Sequence, residues 1–238
     1  METRRVRAEG EGGWLKKIPR QIRLAAKRAR INLLLYSPNI GRERRKLIQK
    51  HLEALSRDPA LYEHSLEVAR LARKSAKKLG LNKTDLFVSG LLHDIGKTRI
   101  EVNGRRRGDL FDVEERKKTE QHVVEGYELL KKEFPLAASV ALLHHLFGER
   151  KYPEKGVPPE AMKYAEYAKW VGILDAYEAR KNRKDRPEDE KNELIQDWLL
   201  NKHVGAFKEG RDEYGDRVNE LFEAGILRNR IIKKKTKE

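Results

Sequence analysis

With 238 residues the chain can bury a real core and amounts to one domain of ordinary size with room for an appendage. It contains no cysteine, which excludes disulfides, thiolate nucleophiles and zinc–thiolate sites together, so any metal must be held by imidazole and carboxylate. The formal net charge is +15, yet residues 1–50 hold 15 Lys/Arg against four Glu, so the basic character belongs mainly to the N-terminus. No stretch approaches the roughly 18 apolar residues of a membrane span, and no apolar leader precedes a small-residue cleavage site, so a cytoplasmic protein is expected.

Residues 1–13 are polar, with repeated Glu-Gly steps, and read as disordered. From Trp14 to Tyr36 the pattern becomes helical and amphipathic. Trp14, Ile18, Ile22 and Ala25 or Ala26 recur three or four apart, with Lys16, Lys17, Arg20, Arg23, Lys27, Arg28 and Arg30 on the other face. Pro19 either kinks this helix or marks its start. Such a segment suits nucleic acid, an anionic membrane surface or an acidic partner, and equally a packed helix with a solvated basic face. Ser37-Pro38-Asn39 and Gly41 interrupt the pattern, and a second basic helix runs to about Leu55. Asp58-Pro59 is an N-cap followed by proline at the first helical position. The helix it opens is predicted to end at Gly80, with Lys77 and Lys78 in its last turn. Asn82, with Asp85 three residues on, opens the helix that carries Gly90-Leu-Leu-His93-Asp94-Ile-Gly96-Lys97. Asp112 with Glu115 repeats that signature before the helix bearing His122, and Pro135, Pro159 and Pro187 stand near the starts of three more. Alternating strand patterns are absent, which predicts an all-α chain. Two loops, Val102 to Gly108 and Gly148 to Pro159, flank the candidate site residues in sequence. Arg105, Arg106 and Arg107 in the first could meet phosphate, although such runs are more often simply solvated.

Five of the seven histidines fall on apolar runs. His64 shares a helical face with Leu61, Val68 and Leu71, while His93 follows Leu86 and Gly90. His144 follows Val140, His145 follows Ala141, and His122 leads into a further apolar stretch. Asp175 closes the run from Trp170, and Asp94 adjoins His93. His51 and His203 lack this setting and read as ordinary. One such histidine is more often a satisfied core or cap residue than a ligand. Five, with two carboxylates in buried-looking runs, point to metal coordination, which offsets the cost of burying a carboxylate. Imidazole and carboxylate without thiolate suit iron, manganese or similar divalent ions, and zinc less distinctively. The set exceeds what one octahedral ion that also binds substrate can use, so two ions are expected, with Asp94 as their bridge. Lys97, one turn past His93, could reach a nonbridging phosphate oxygen; alone it would read as a solvated helix-end lysine.

These residues carry a resemblance. The stretch from about Leu61 to Pro187 resembles the HD superfamily of metal-dependent phosphohydrolases, most closely its HD-GYP subgroup, whose activity is hydrolysis of cyclic di-GMP. The pieces are His64-Ser-Leu-Glu-Val, Leu92-His93-Asp94-Ile-Gly-Lys97, His122-Val-Val-Glu-Gly-Tyr, His144-His145 and Asp175-Ala-Tyr-Glu-Ala. The resemblance implies an all-helical HD fold, with His64, His93, Asp94, His122, His144, His145 and Asp175 as ligands of two divalent ions. It also implies that Lys97 contacts phosphate. Asp94 and Lys97 are thus the expected catalytic residues, and Lys97, Tyr152 and Arg186 the expected substrate contacts. The subgroup's HHExxDGxGYP becomes His144-His145-Leu-Phe-Gly-Glu-Arg-Lys151-Tyr152-Pro153, one residue shorter, with Lys151 in place of the Gly of the GYP triplet. Ala60 stands where some members carry the glutamate of a third metal.

The expected organisation is a basic N-terminal helical extension over 1–56, an HD helical bundle over 57–200, and a C-terminal helical segment with a basic tail over 201–238. The leading reading is a cyclic dinucleotide phosphodiesterase. The alternatives are an HD phosphodiesterase of the RNase Y type acting on RNA or another nucleotide, which the basic N-terminus would suit, and a non-catalytic module that keeps the fold.

Overall fold

The computed structural model describes residues 19–100, 113–149, 151–153, 155–182 and 193–229. Among these residues there are helices and no strand, as the all-α reading expects. The chain divides into two compact units, Met1–Ile40 and Gly41–Glu238.

In the first unit, α1 spans Arg20–Leu35, and Pro19 immediately before it is extended, at φ −52 and ψ 144. Pro19 therefore starts the helix rather than kinking it, as its fixed φ and missing N–H favour. The part expected from Trp14 to Ile18 lies outside the described residues. Along α1, Ile31 and Leu35 are buried, whereas Ile22 and Leu33 are exposed.

The second unit runs through α2 (Arg42–Ser56), α3 (Pro59–Ser75), α4 (Lys83–Leu92), a 3-10 turn (Ile95–Arg99), α5 (Val113–Glu120), α6 (His122–Leu130) and α7 (Pro135–Leu143). It continues with α8 (Pro159–Met162), α9 (Ala165–Asn182), α10 (Ile195–Trp198), a π turn (Leu199–His203), a 3-10 turn (Val204–Ala206) and α11 (Arg211–Glu223). Residues 41–56 and 201–238 thus fall in the same compact unit as 57–200, while residues 1–40 form the other. Near the C-terminus, the Tyr177 hydroxyl of α9 accepts from the Arg228 N–H at 2.9 Å and donates to the Arg228 carbonyl at 3.1 Å.

The caps account for the helix starts. Asp58 accepts from the N–H groups of Ala60 and Leu61, at 2.8 and 3.2 Å, and Asn82 from those of Thr84 and Asp85, at 2.9 and 3.0 Å, satisfying donors that the first turn leaves over. Three boundaries differ from the sequence reading. Helix α3 stops at Ser75, and a turn closed by Gly80, at φ 66, follows it. The segment before His122 breaks at Gln121 into α5 and α6. Pro159 opens only the short α8, and α9 starts afresh at Ala165. Asp112, Pro187 and the Val102–Gly108 loop lie outside the described residues.

Two helices are buried along their whole apolar lengths: α4 from Leu86 to Leu92 and α7 from Ala137 to Leu143. A helix that is apolar all round belongs inside, and these two sit among α3, α6 and α9. Each ends in a candidate ligand, since His93 caps α4 and His144 caps α7.

Candidate metal centre

The ends of α4 and α7 leave backbone carbonyls without partners. The Nδ1–H of His93 donates to the Gly90 carbonyl at 2.9 Å, and that of His144 to the Ala141 carbonyl at 2.9 Å. His122, just past the end of α5, does the same with the Thr119 carbonyl at 2.5 Å. Each bond occupies a last-turn carbonyl three residues back. Each also fixes the tautomer that leaves Nε2 as a lone-pair donor, which is how metal-bound imidazoles are held.

His64 stands inside α3, where the carbonyls three and four residues back are committed to the helix. Its Nδ1–H donates instead to Oε2 of Glu178, at 2.5 Å. Glu178 lies one turn beyond Asp175 on α9, is only 6% exposed, and accepts from the Asn182 amide on its other oxygen.

The seven residues converge. His64 Nε2 lies 2.9 Å from Asp175 Oδ1, 3.3 Å from His93 Nε2 and 3.6 Å from Asp94 Oδ2. His93 Nε2 is 3.4 Å from Asp94 Oδ2 and 3.8 Å from Asp175 Oδ1. On the other oxygen of Asp94, Oδ1 lies 3.3 Å from His122 Nε2 and 3.7 Å from His144 Nε2. The ring of His145 packs 3.9 Å from that of His144, centroid to centroid. Groups with ligand atoms within 4.8 Å of one another are Asp94, His122, His144 and His145; His64, His93 and Asp94; and His93, His144 and Asp175. Asp94 belongs to both outer groups, with one oxygen turned to each side.

The donor set fits divalent cations. Asp94 Oδ1, His122 Nε2 and His144 Nε2 are buried and have no hydrogen-bond partner, although buried polar atoms are nearly always paired. Three acceptors crowded together cannot satisfy one another, whereas a cation satisfies all three. The electrostatics agree. Burial opposes charge on His64, but its bonds to Asp175 and Glu178 prevail and raise it to about 10, which shows how strongly the carboxylates there favour positive charge. Burial, with the charges of His93 and His122, lowers His144 to about 3. Burial also lowers His122. For Asp94, burial favours the neutral acid, but Lys97 and His93 hold it well below the usual carboxylate range.

The Nζ of Lys97 lies 2.6 Å from Asp94 Oδ2, with about a third of the side chain (34%) exposed. Tyr152 is buried, its ring 4.7 Å from that of His145 and 6.0 Å from that of His122. Arg186 lies outside the described residues. His51 only edges onto Phe134. His203 is buried against Gly148, where an added Cβ would come within 2.4 Å of its ring. Two other glycines set the centre. A Cβ on Gly96 would lie 1.9 Å from the His122 carbonyl oxygen, and one on Gly172 would lie 2.3 Å from that of His144. Glu178 and Gly172 were missed in the sequence. The signal for Glu178 was its place one turn from Asp175 in Asp175-Ala-Tyr-Glu178.

The model of the HD domain family matches residues 61–180, half of the chain and the whole cluster. The chain belongs to the HD-domain family. It is accordingly a member of a family of metal-dependent phosphohydrolases. Ribonuclease Y of Mesoplasma florum is 29% identical over 164 residues, covering 68% of this chain and 26% of that protein. Ribonuclease Y of Geotalea uraniireducens is 36% identical over 103 residues, 42% of this chain and 17% of that protein. The chain thus spans about a quarter or less of these relatives' length. The HD domain of the L. monocytogenes phosphodiesterase PgpH was solved alone and in complex with cyclic-di-AMP. Those structures are 22% and 23% identical, cover 73% of this chain and 97% and 96% of theirs, and superpose at TM-scores of 0.48 and 0.49. Among the described residues no helix is long and apolar enough to cross a membrane.

Proposed function

We propose that this HD domain is a metal-dependent phosphodiesterase whose centre holds two divalent ions, iron or manganese, and acts on a nucleotide phosphodiester. The observation that carries this reading is the position of Asp94. Its two oxygens face two ligand groups, and Oδ1 stands buried and unpartnered beside the free Nε2 atoms of His122 and His144. His64, His93, Asp94 and Asp175 would hold one ion, and Asp94, His122, His144 and His145 the other. Bound there, such ions supply Lewis-acid activation of a phosphate ester and of the attacking water.

The chain's own groups do the rest. Lys97, partly exposed beside Asp94, is placed to pair with a nonbridging phosphate oxygen, where its charge counts most as negative charge builds in the transition state. Tyr152 backs His145 and keeps its ring against the centre. The helix ends behind His93 and His144 point carbonyl dipoles toward the cluster, which favours positive charge there.

Cyclic di-GMP is the substrate implied by the HD-GYP resemblance, and Lys97, Tyr152 and Arg186 are its proposed contacts. RNA is the second reading, supported by the ribonuclease Y relatives and by the basic residues of the first fifty positions, which suit a polyanion, whether nucleic acid or an anionic membrane surface. The test is a panel of cyclic di-GMP, cyclic di-AMP and short RNA on manganese- or iron-loaded protein. Cleavage of a member of the panel that is lost in Asp94→Ala supports the enzyme reading. No cleavage of any of them, nor of bis-p-nitrophenyl phosphate, favours a non-catalytic module.

A further inference from the structure

Three of the ligand histidines, His93, His122 and His144, are held through Nδ1 by backbone carbonyls. His64 is held through Nδ1 by a buried carboxylate, Glu178. A carbonyl orients an imidazole; a carboxylate orients it and also pushes electron density onto the ligating nitrogen, which raises ligand basicity. The difference has a structural origin, because His64 alone of these four has a full turn of its own helix on both sides, where no carbonyl is spare. It also has an electrostatic consequence. The His64 ring faces Asp94 and Asp175 with Glu178 behind it, whereas Asp94 is the one carboxylate grouped with His122, His144 and His145, and Asp175 groups with His144 through His93.

We propose that Glu178 is a positioning residue that makes the two cation positions unequal, so that the position of His64, His93, Asp94 and Asp175 binds its ion first and more tightly. This rests on the two-ion reading above. Three features support it. Asp175 and Glu178 are like charges one turn apart on α9, a destabilising pair on a bare helix, and the His64 ring spans them with Nε2 at 2.9 Å from one and Nδ1 at 2.5 Å from the other. Glu178 is 6% exposed, so little water screens its charge. Its remaining oxygen is taken by Asn182, which holds the carboxylate in place beside His64.

The experiment uses the full chain, stripped of metal, with Mn²⁺ as the probe, followed by calorimetry and by electron paramagnetic resonance. Wild type is expected to bind in two steps, giving a single-ion spectrum at one equivalent and a spin-coupled spectrum at two. His145→Ala removes the weaker step and so identifies it. Glu178→Gln keeps the shape and removes the charge, and is expected to weaken the tighter step by about 10–100-fold while leaving the weaker one in place. Asn182→Leu leaves Glu178 intact and is expected to weaken the same step to a lesser degree, which keeps the test open if Glu178→Gln folds poorly. Unchanged binding in both variants overturns the proposal, as does loss confined to the step that His145→Ala removes. Two-step binding by wild type with either of those results leaves the two-ion reading standing and removes only the role of Glu178. No Mn²⁺ binding by wild type overturns both.

Discussion

Lys97 carries the clearest division of labour between ion binding and chemistry. Its ammonium lies 2.6 Å from Asp94 Oδ2, yet it can ligate no cation itself. Lys97→Met is expected to leave the metal content near wild type and to lower kcat by about 10²–10³-fold; an unchanged rate with a full metal complement would remove Lys97 from the reaction. Lys151 presents a different residue-scale question. The sequence departs from the HD-GYP pattern by placing Lys151 where that pattern has Gly, yet the backbone there has φ 53, the left-handed conformation that glycine adopts at no steric cost. Lys151→Gly should therefore raise stability by about 1 kcal/mol, read as a higher Tm; a lower Tm would mean that the lysine side chain outweighs its own backbone strain. At this scale the histidines and aspartates of the cluster were legible from their apolar settings. Glu178 was not, because its pairing with His64, 114 residues earlier in the chain, becomes visible only once α9 packs against α3.

Helix ends rather than helix middles carry most of the centre, and the spacing of those ends is set by what is missing between elements. Helix α9 lies close against the His144 backbone because Gly172 has no side chain; an added Cβ would sit 2.3 Å from the His144 oxygen and 3.3 Å from its carbonyl carbon. Helix propensity alone predicts that Gly172→Ala stabilises the chain by about 1 kcal/mol. Packing predicts the opposite sign, a loss of about 1–3 kcal/mol, because backbone cannot swing aside as a side chain can. A fall in Tm together with loss of bound metal is the expected result, since α9 and the cap of α7 must part, carrying Asp175 away from His144. The caps at Asp58 and Asn82, and the helix starts at Pro135 and Pro159, could be read in advance because each depends only on local chemistry. The break between α5 and α6, the early end of α3 and the close approach at Gly172 depend on what packs alongside, which one sequence does not display.

For the whole molecule, the centre joins α3, the ends of α4, α5 and α7, and the middle of α9. An ion held by His64 and Asp175, which approach to 2.9 Å, would cross-link α3 and α9 across the intervening chain. Ions that bind only the folded chain stabilise it by mass action, by about 4 kcal/mol at a thousandfold excess over Kd. Stripping the metal with a chelator should then lower Tm by roughly 10 °C for a chain of this size, and adding Mn²⁺ should restore it. An identical Tm with and without the chelator would place the ions, if bound at all, outside the folded core. The most direct check is to count iron, manganese and zinc per chain in the purified protein and in Asp94→Asn, which keeps the shape of the residue shared by both positions and removes its charge. The account predicts close to two ions per wild-type chain and near none in the variant; a wild type free of metal, or a variant that retains both ions, would contradict it.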